Sequence, residues 1–236
     1  MKKLSLEICV ESLESALAAE CGGADRIELC EELSLGGVTP NSSLAREARK
    51  RLKIPIHCMI RPRGGDFCYS TEEFARMKNE IAIAKGCGMD AVVLGILTSN
   101  GRVDAQRTKE VVDLAWPLPV TFHRAFDEAG SFSDAMEAVI MAGAARILTS
   151  GGAASADAGR PVLAELVRRA GDRITIMPGS GITPANLAGI VRDTRAAEFH
   201  AGLTSIEPRP TNNYAGFEAA VRTLAGILDL ESSRNS

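Results

Sequence analysis

Hydrophobic and polar positions along this chain alternate between two periods. Short aliphatic and β-branched stretches at 4–9, 26–30, 55–60, 90–95, 118–123, 145–149, 173–177 and 197–200 predict eight strands. Runs with helical spacing near 12–22, 41–52, 70–86, 104–115, 132–142, 156–170, 183–193 and 215–229 predict eight helices between and after them. One unit recurs: an alanine-rich run, a glycine, then a strand. It appears as Ala18-Ala19-Glu20-Cys21-Gly22-Gly23, as Ile83-Ala84-Lys85-Gly86-Cys87-Gly88 and as Val139-Ile140-Met141-Ala142-Gly143. Glycine just past a helix ends it cheaply, because it enters the left-handed region without a Cβ penalty. Ser70 before Thr71-Glu72-Glu73, and Thr183 before Pro184, read as helix starts. Strict alternation implies a parallel sheet with right-handed crossovers, and eight units predict an α/β, single-domain (β/α)8 TIM barrel over residues 1–236. Residues 206–215, with two prolines and two asparagines, read as a long final loop, and 229–236 as a disordered tail.

Strand parity then separates the two faces of the barrel. The apolar partners Leu6 and Ile8, Ile27 and Leu29, Ile56 and Ile60, Val120 and Phe122, and Phe199 belong against the helices. That leaves Glu7 and Cys9, Glu28 and Cys30, His57, Met59 and Arg61, Thr121 and His123, and Glu198 and His200 facing inward. All three histidines of the chain fall on the inward face. Glu7, Glu28, His57 and Glu198 are expected as a paired polar interior, since buried charges need partners. Arg61, His123 and His200 lie nearer the mouth, where barrels carry their chemistry. A satisfied polar plug and a functional site both fit this pattern.

Glycine turns follow the last strands: Ser150-Gly151-Gly152, Gly179-Ser180-Gly181 and Ala201-Gly202. Together with Arg61 and Arg63 they predict a site for a small anionic ligand. If the barrel is an enzyme, His123 is the expected general acid or base, oriented by Asp127, with Arg61 and His200 beside it. Cys9 and Cys30 end consecutive strands on the inward face, so their thiolates could clasp one soft ion, and thiolates select Cu(I). Cys58 is expected in the core, Cys21 and Cys87 as packing residues at matching hinges, and Cys68 in an exposed loop.

Composition narrows the class. The net charge is −3, which gives no basic field for nucleic acid. No apolar run is long enough to span a membrane, and Met1-Lys2-Lys3 leads straight into a strand, so no signal peptide and a cytoplasmic location are expected. The six cysteines form no C-x-x-C pair, and a reducing compartment leaves them free. With no dinucleotide fingerprint, no organic cofactor is expected.

Several runs carry a resemblance. Leu6-Glu7-Ile8-Cys9-Val10, Gly23-Ala24-Asp25-Arg26-Ile27-Glu28-Leu29-Cys30, Met59-Ile60-Arg61-Pro62-Arg63-Gly64-Gly65-Asp66-Phe67, Thr121-Phe122-His123-Arg124-Ala125-Phe126-Asp127, Leu148-Thr149-Ser150-Gly151 and Met177-Pro178-Gly179 resemble the CutC copper homeostasis family, over about residues 4–228. The resemblance implies a TIM barrel, a role in copper tolerance or trafficking, Cu(I) binding at Cys9 and Cys30, and a homo-oligomer. A serine usual in the family two residues after the strand-8 histidine is Gly202 here.

Overall fold

A computed structural model describes residues 4–203 and 214–234. Eight strands alternate with eight helices: β1 (Ser5–Val10), α1 (Leu13–Cys21), β2 (Arg26–Leu29), α2 (Ser42–Arg51), β3 (Ile56–Met59), α3 (Thr71–Gly86), β4 (Ala91–Leu94), α4 (Ala105–Ala115), β5 (Val120–Phe122), α5 (Phe132–Ala142), β6 (Arg146–Thr149), α6 (Arg160–Ala170), β7 (Thr175–Pro178), α7 (Leu187–Thr194), β8 (Glu198–Ala201) and α8 (Tyr214–Arg234). The strands are parallel and hydrogen-bonded in the order β7-β6-β5-β4-β3-β2-β1-β8. At the seam between β7 and β8 an isolated parallel bridge joins Gly179 to His200. Glycine keeps that approach close: a Cβ on Gly179 would lie 2.4 Å from Leu148 Cδ1, which would have to shift.

The two faces of the strands separate as their parity implies. Leu6, Ile8, Ile27, Leu29, Ile56, Phe122 and Phe199 are fully buried between sheet and helices, and Cys58 joins that layer. A small separate apolar group, Cys9, Cys30, Met59 and Val93, lies inside the barrel. Helix starts follow local chemistry. Ser70 caps α3 and forms a reciprocal box with Glu73, while Asn41 and Asp104 cap α2 and α4.

Four expectations change. Helix α6 begins at Arg160 rather than 156, because the chain first turns through Gly159, with Pro161 in the first helical turn. Helix α7 begins at Leu187 rather than after Thr183; the Asn186 side chain instead accepts the Thr183 N–H and holds a preceding turn. The supposed tail is helical through Arg234, and Glu231 is buried and paired with Arg234 at 2.8 Å. Cys21 is exposed, unlike Cys87 at the matching hinge, which is buried beneath the Ser42 carbonyl. Most of the proposed final loop, 204–213, and the end, 235–236, lie outside the described residues; Tyr214 and Ala215 already belong to α8.

Candidate functional site at the barrel mouth

The deepest interior layer is an ion network. Arg26 Nε meets Glu7 Oε2 at 2.6 Å, and its Nη2 meets Glu198 Oε2 at 2.6 Å. Arg146 Nε closes on the same Glu198 oxygen at 2.7 Å. Glu7 also takes His57 Nδ1 at 2.9 Å and His200 Nδ1 at 2.8 Å. Burial would push the Glu7 carboxyl up, but Arg26, His200 and His57 together hold it well below the usual carboxylate range. Burial likewise works against the charge on His200, and Glu28 and Glu7 override it, so its pKa is raised. Glu7, His57 and Glu198 thus occupy the polar interior. Arg26 and Arg146, the cations that neutralise it, were not among the expected residues; their place two residues before Glu28 and Leu148 on one face was the available signal.

Above this layer the strand ends enclose a cavity of about 380 Å³, whose wall includes Cys9, Glu28, Met59, Arg61, His123 and His200. It sits at the C-terminal face of the barrel, where eight strand ends converge. Glu28, expected deep in the interior, is part of this wall because its register partner across β1 is Cys9. Burial raises the Glu28 pKa. Cys9 Sγ and Cys30 Sγ are 3.6 Å apart, both free and both buried. The hydrogen bond with Cys30, burial and the nearby Glu28 push the Cys9 thiol well up. Gly37 roofs the pair: with φ of +83° it brings its backbone close, and a Cβ there would lie 3.2 Å from Cys30 Sγ.

Across the cavity stand Arg61 and His123, with Phe67 between them. The Arg61 guanidinium lies 4.9 Å from the Phe67 ring centroid, and the His123 ring centroid lies 4.9 Å on its other contact. Arg61 is 5% exposed and its guanidinium donates to the carbonyls of Leu35, Gly37 and Gly65. No carboxylate among the described residues pairs with it. Its Nε has no partner among them either. The His123 ring accepts the Ala125 N–H at Nδ1, 3.1 Å away, which places the neutral ring's proton on Nε2. Burial and the Arg61 charge drop its pKa to about 3, so the ring is neutral at physiological pH. Its Nε2–H finds no acceptor among the described residues.

Other expected residues are engaged differently, although Asp127 also lines the cavity. Asp127 does not orient His123. Its carboxylate accepts the backbone N–H groups of Ser150 and Gly152, at 3.0–3.1 Å, together with the Thr149 hydroxyl, and pairs with Arg124 at 2.9 Å. The Ser150-Gly151 turn therefore already holds an anion of its own chain, and Gly151 N–H is taken by Thr149 Oγ1. Gly179 N–H is likewise spent on the Thr149 carbonyl, whereas Gly181 does line the cavity. Arg63 turns away from the mouth to Glu73 at 2.5 Å and Asp66 at 3.0 Å, over the Tyr69 ring. Those carboxylates neutralise it. Gly95 is a site glycine that the sequence does not announce: a Cβ there would lie 2.5 Å from His123 Nδ1.

Fold and site define a (β/α)8 barrel whose mouth gathers buried thiol, carboxyl, imidazole and guanidinium groups around one cavity. A family model described as the CutC family matches residues 4–205. The chain belongs to that family. It is 50% identical over 196 residues to a CutC family protein from Chromobacterium violaceum, covering 83% of this chain and 79% of that one. It is 46% identical over 200 residues to the human protein named copper homeostasis protein cutC homolog, covering 85% and 73%. The CutC crystal structure from Streptococcus agalactiae superposes with a TM-score of 0.80 at 33% identity, over 84% of this chain and 98% of that one. A thiamine phosphate pyrophosphorylase from Pyrococcus furiosus, at TM-score 0.64 and 16% identity over 98% of both chains, shares the fold alone. No helix among the described residues is long and apolar enough to cross a membrane.

Proposed function

We propose that this chain serves copper homeostasis by holding Cu(I) between the Cys9 and Cys30 thiolates, as a cytoplasmic protein that accepts the ion and passes it on. The observation that carries this reading is the 3.6 Å approach of two free, buried sulfurs on adjacent strands. Soft thiolate donors select Cu(I), and the Met59 thioether packs in the same group. Cys9 opens onto the cavity, which gives the ion a way in and out. The relatives named for copper homeostasis support the same role. Anaerobic Cu(I) titration against a chromophoric chelator is expected to show one tightly held ion per chain. The Cys9→Ser, Cys30→Ser double variant should lose it; equal affinity in that variant would sink the assignment.

A second reading, an enzyme acting on a small anionic substrate, is favoured by Arg61, a buried cation with no carboxylate partner among the described residues, facing the same cavity as an unpartnered His123 Nε2–H. Uncompensated charge and donor capacity in a buried pocket suit an oxyanion. Inorganic phosphate and glycolate, titrated separately into protein carrying 15N-labelled histidine, should move the His123 Nε2 resonance saturably with at least one of them. No saturable movement with either removes the reading.

A further inference from the structure

We infer that Cys9, Glu28 and His200 form a second metal site, for a divalent cation of the zinc class, with an open coordination position facing the mouth cavity. One ligand atom from each of the three residues lies within 4.8 Å of the other two, and all three residues are buried. The set of one sulfur, one oxygen and one imidazole nitrogen is harder than a dithiolate. It matches the borderline donor mixture that zinc accepts, whereas Cu(I) prefers sulfur alone. Three protein ligands with a fourth position left to solvent is also the pattern of zinc sites that bind a reactant rather than only brace a fold.

Two further observations point to a cation at this place. The first is the orientation of His200. Its Nδ1 is held by Glu7 at 2.8 Å, and Glu7 is itself anchored by Arg26. That leaves Nε2 as the coordinating nitrogen. A carboxylate behind a histidine is the usual way a protein fixes the tautomer and ring angle of a metal-binding imidazole. The second is Glu28. It is 2% exposed, yet its Oε2 has no hydrogen-bond partner among the described residues. A buried acceptor left unpaired is costly, and a cation would satisfy it.

This site goes beyond the copper reading but shares Cys9 with it. Because Cys9 is common to the Cys9–Cys30 pair and the Cys9–Glu28–His200 triad, Cu(I) and the divalent ion compete for its sulfur. Cys30 serves only the first site; Glu28 and His200 serve only the second.

The test is anaerobic Co²⁺ titration of the full chain, Co²⁺ standing for zinc because its spectrum reports ligand type. Wild type should develop a thiolate-to-cobalt charge-transfer band with intense tetrahedral d–d absorption, and Zn²⁺ should bleach both. Glu28→Gln and His200→Gln should each bind Co²⁺ at least about tenfold more weakly while retaining Cu(I). Cys30→Ser should do the reverse. Circular dichroism of each variant separates a lost ligand from a lost fold. The inference is overturned if wild type shows no charge-transfer band, or if folded Glu28→Gln and His200→Gln bind Co²⁺ as tightly as wild type. It is also overturned if Cys30→Ser weakens Co²⁺ as much as it weakens Cu(I). The copper assignment fails on a different result, undiminished Cu(I) binding without Cys9 and Cys30, so the two readings stand or fall separately.

Discussion

The Asp127 carboxylate accepts the backbone N–H of Ser150 through both of its oxygens, each at 3.1 Å. With Gly152 N–H and the Thr149 hydroxyl it makes the loop after β6 depend on one charge from the loop after β5. Replacing Asp127 by Ala strands several buried donors, and a loss of roughly 2–4 kcal/mol is expected. Urea unfolding measures the loss. The emptied nest should then accept a free anion, so added sulfate should restore part of the stability of the variant and little to wild type.

His123 gives a pH signature. Its folded pKa is about 3 against an ordinary value of 6.5, so below the ordinary value the unfolded chain binds a proton that the folded chain refuses. The His123 contribution is complete above about pH 6.5 and is lost progressively as pH falls toward about 3. The slope is about 1.4 kcal/mol per pH unit within that window. Stability curves of wild type and His123→Phe should differ by that slope; parallel curves would mean the ring titrates normally.

Gly95 should be intolerant of even one methyl. In Gly95→Ala the new Cβ would meet His123 Nδ1 at 2.5 Å, His123 Cε1 at 2.6 Å and Ala125 Cβ at 2.8 Å. The Ala125 N–H to Nδ1 bond is expected to break, at a cost of about 1–3 kcal/mol. The 15N shift of His123 Nδ1 reports the broken bond directly, and thermal unfolding reports the cost.

Glu7 holds the interior together. Glu7→Gln removes the carboxylate that Arg26, His57 and His200 share, and leaves buried positive charge behind. A loss of about 3–5 kcal/mol is expected, the range for breaking a buried pair from one side. Since Glu7 is one of the groups that raise the His200 pKa, the variant should also titrate His200 at lower pH, which proton NMR can follow.

Metal binding should follow the state of Cys9. Its thiol is held protonated by Cys30, burial and Glu28, and a bound metal needs the thiolate. Each proton released on binding makes apparent affinity rise about tenfold per pH unit below the thiol pKa. Cu(I) competition at several pH values reads this slope, and a flat profile would mean that Cys9 is not a ligand.

Much of this architecture is legible in the chain itself. The change between periods of two and near 3.6 marks the alternating elements, and strand parity sends Glu7, Cys9, Glu28, Cys30, His57, His123 and His200 to one side. Periodicity states which face a residue takes, not how far its side chain reaches. Arg63 and Asp127 show the limit. Both are close in sequence to mouth residues, but each has a nearer partner: Glu73 for Arg63, the Ser150 and Gly152 amides for Asp127. Those partners come from other elements, so only the folded chain decides the competition. Arg26 and Arg146 are illegible from sequence because each opens its strand beside a turn, where an arginine usually points to solvent. Helices α6 and α7 start late because the residues before them form turns, closed by the Gly159 N–H to the Ser155 carbonyl and the Leu187 N–H to the Thr183 carbonyl, and regular helix begins only at Arg160 and Leu187.

Cys21 has a practical consequence. It ends α1, and helices in this fold run back from the mouth, so this exposed thiol lies at the opposite pole of the barrel from Cys9 and Cys30. Cys9, Cys30, Cys58 and Cys87 are buried, and the half-buried Cys68 has its thiol pushed up, which slows its alkylation. A maleimide fluorophore or a surface linker should therefore attach first at Cys21. A molecule tethered there would present its mouth outward, with the cavity untouched by the label.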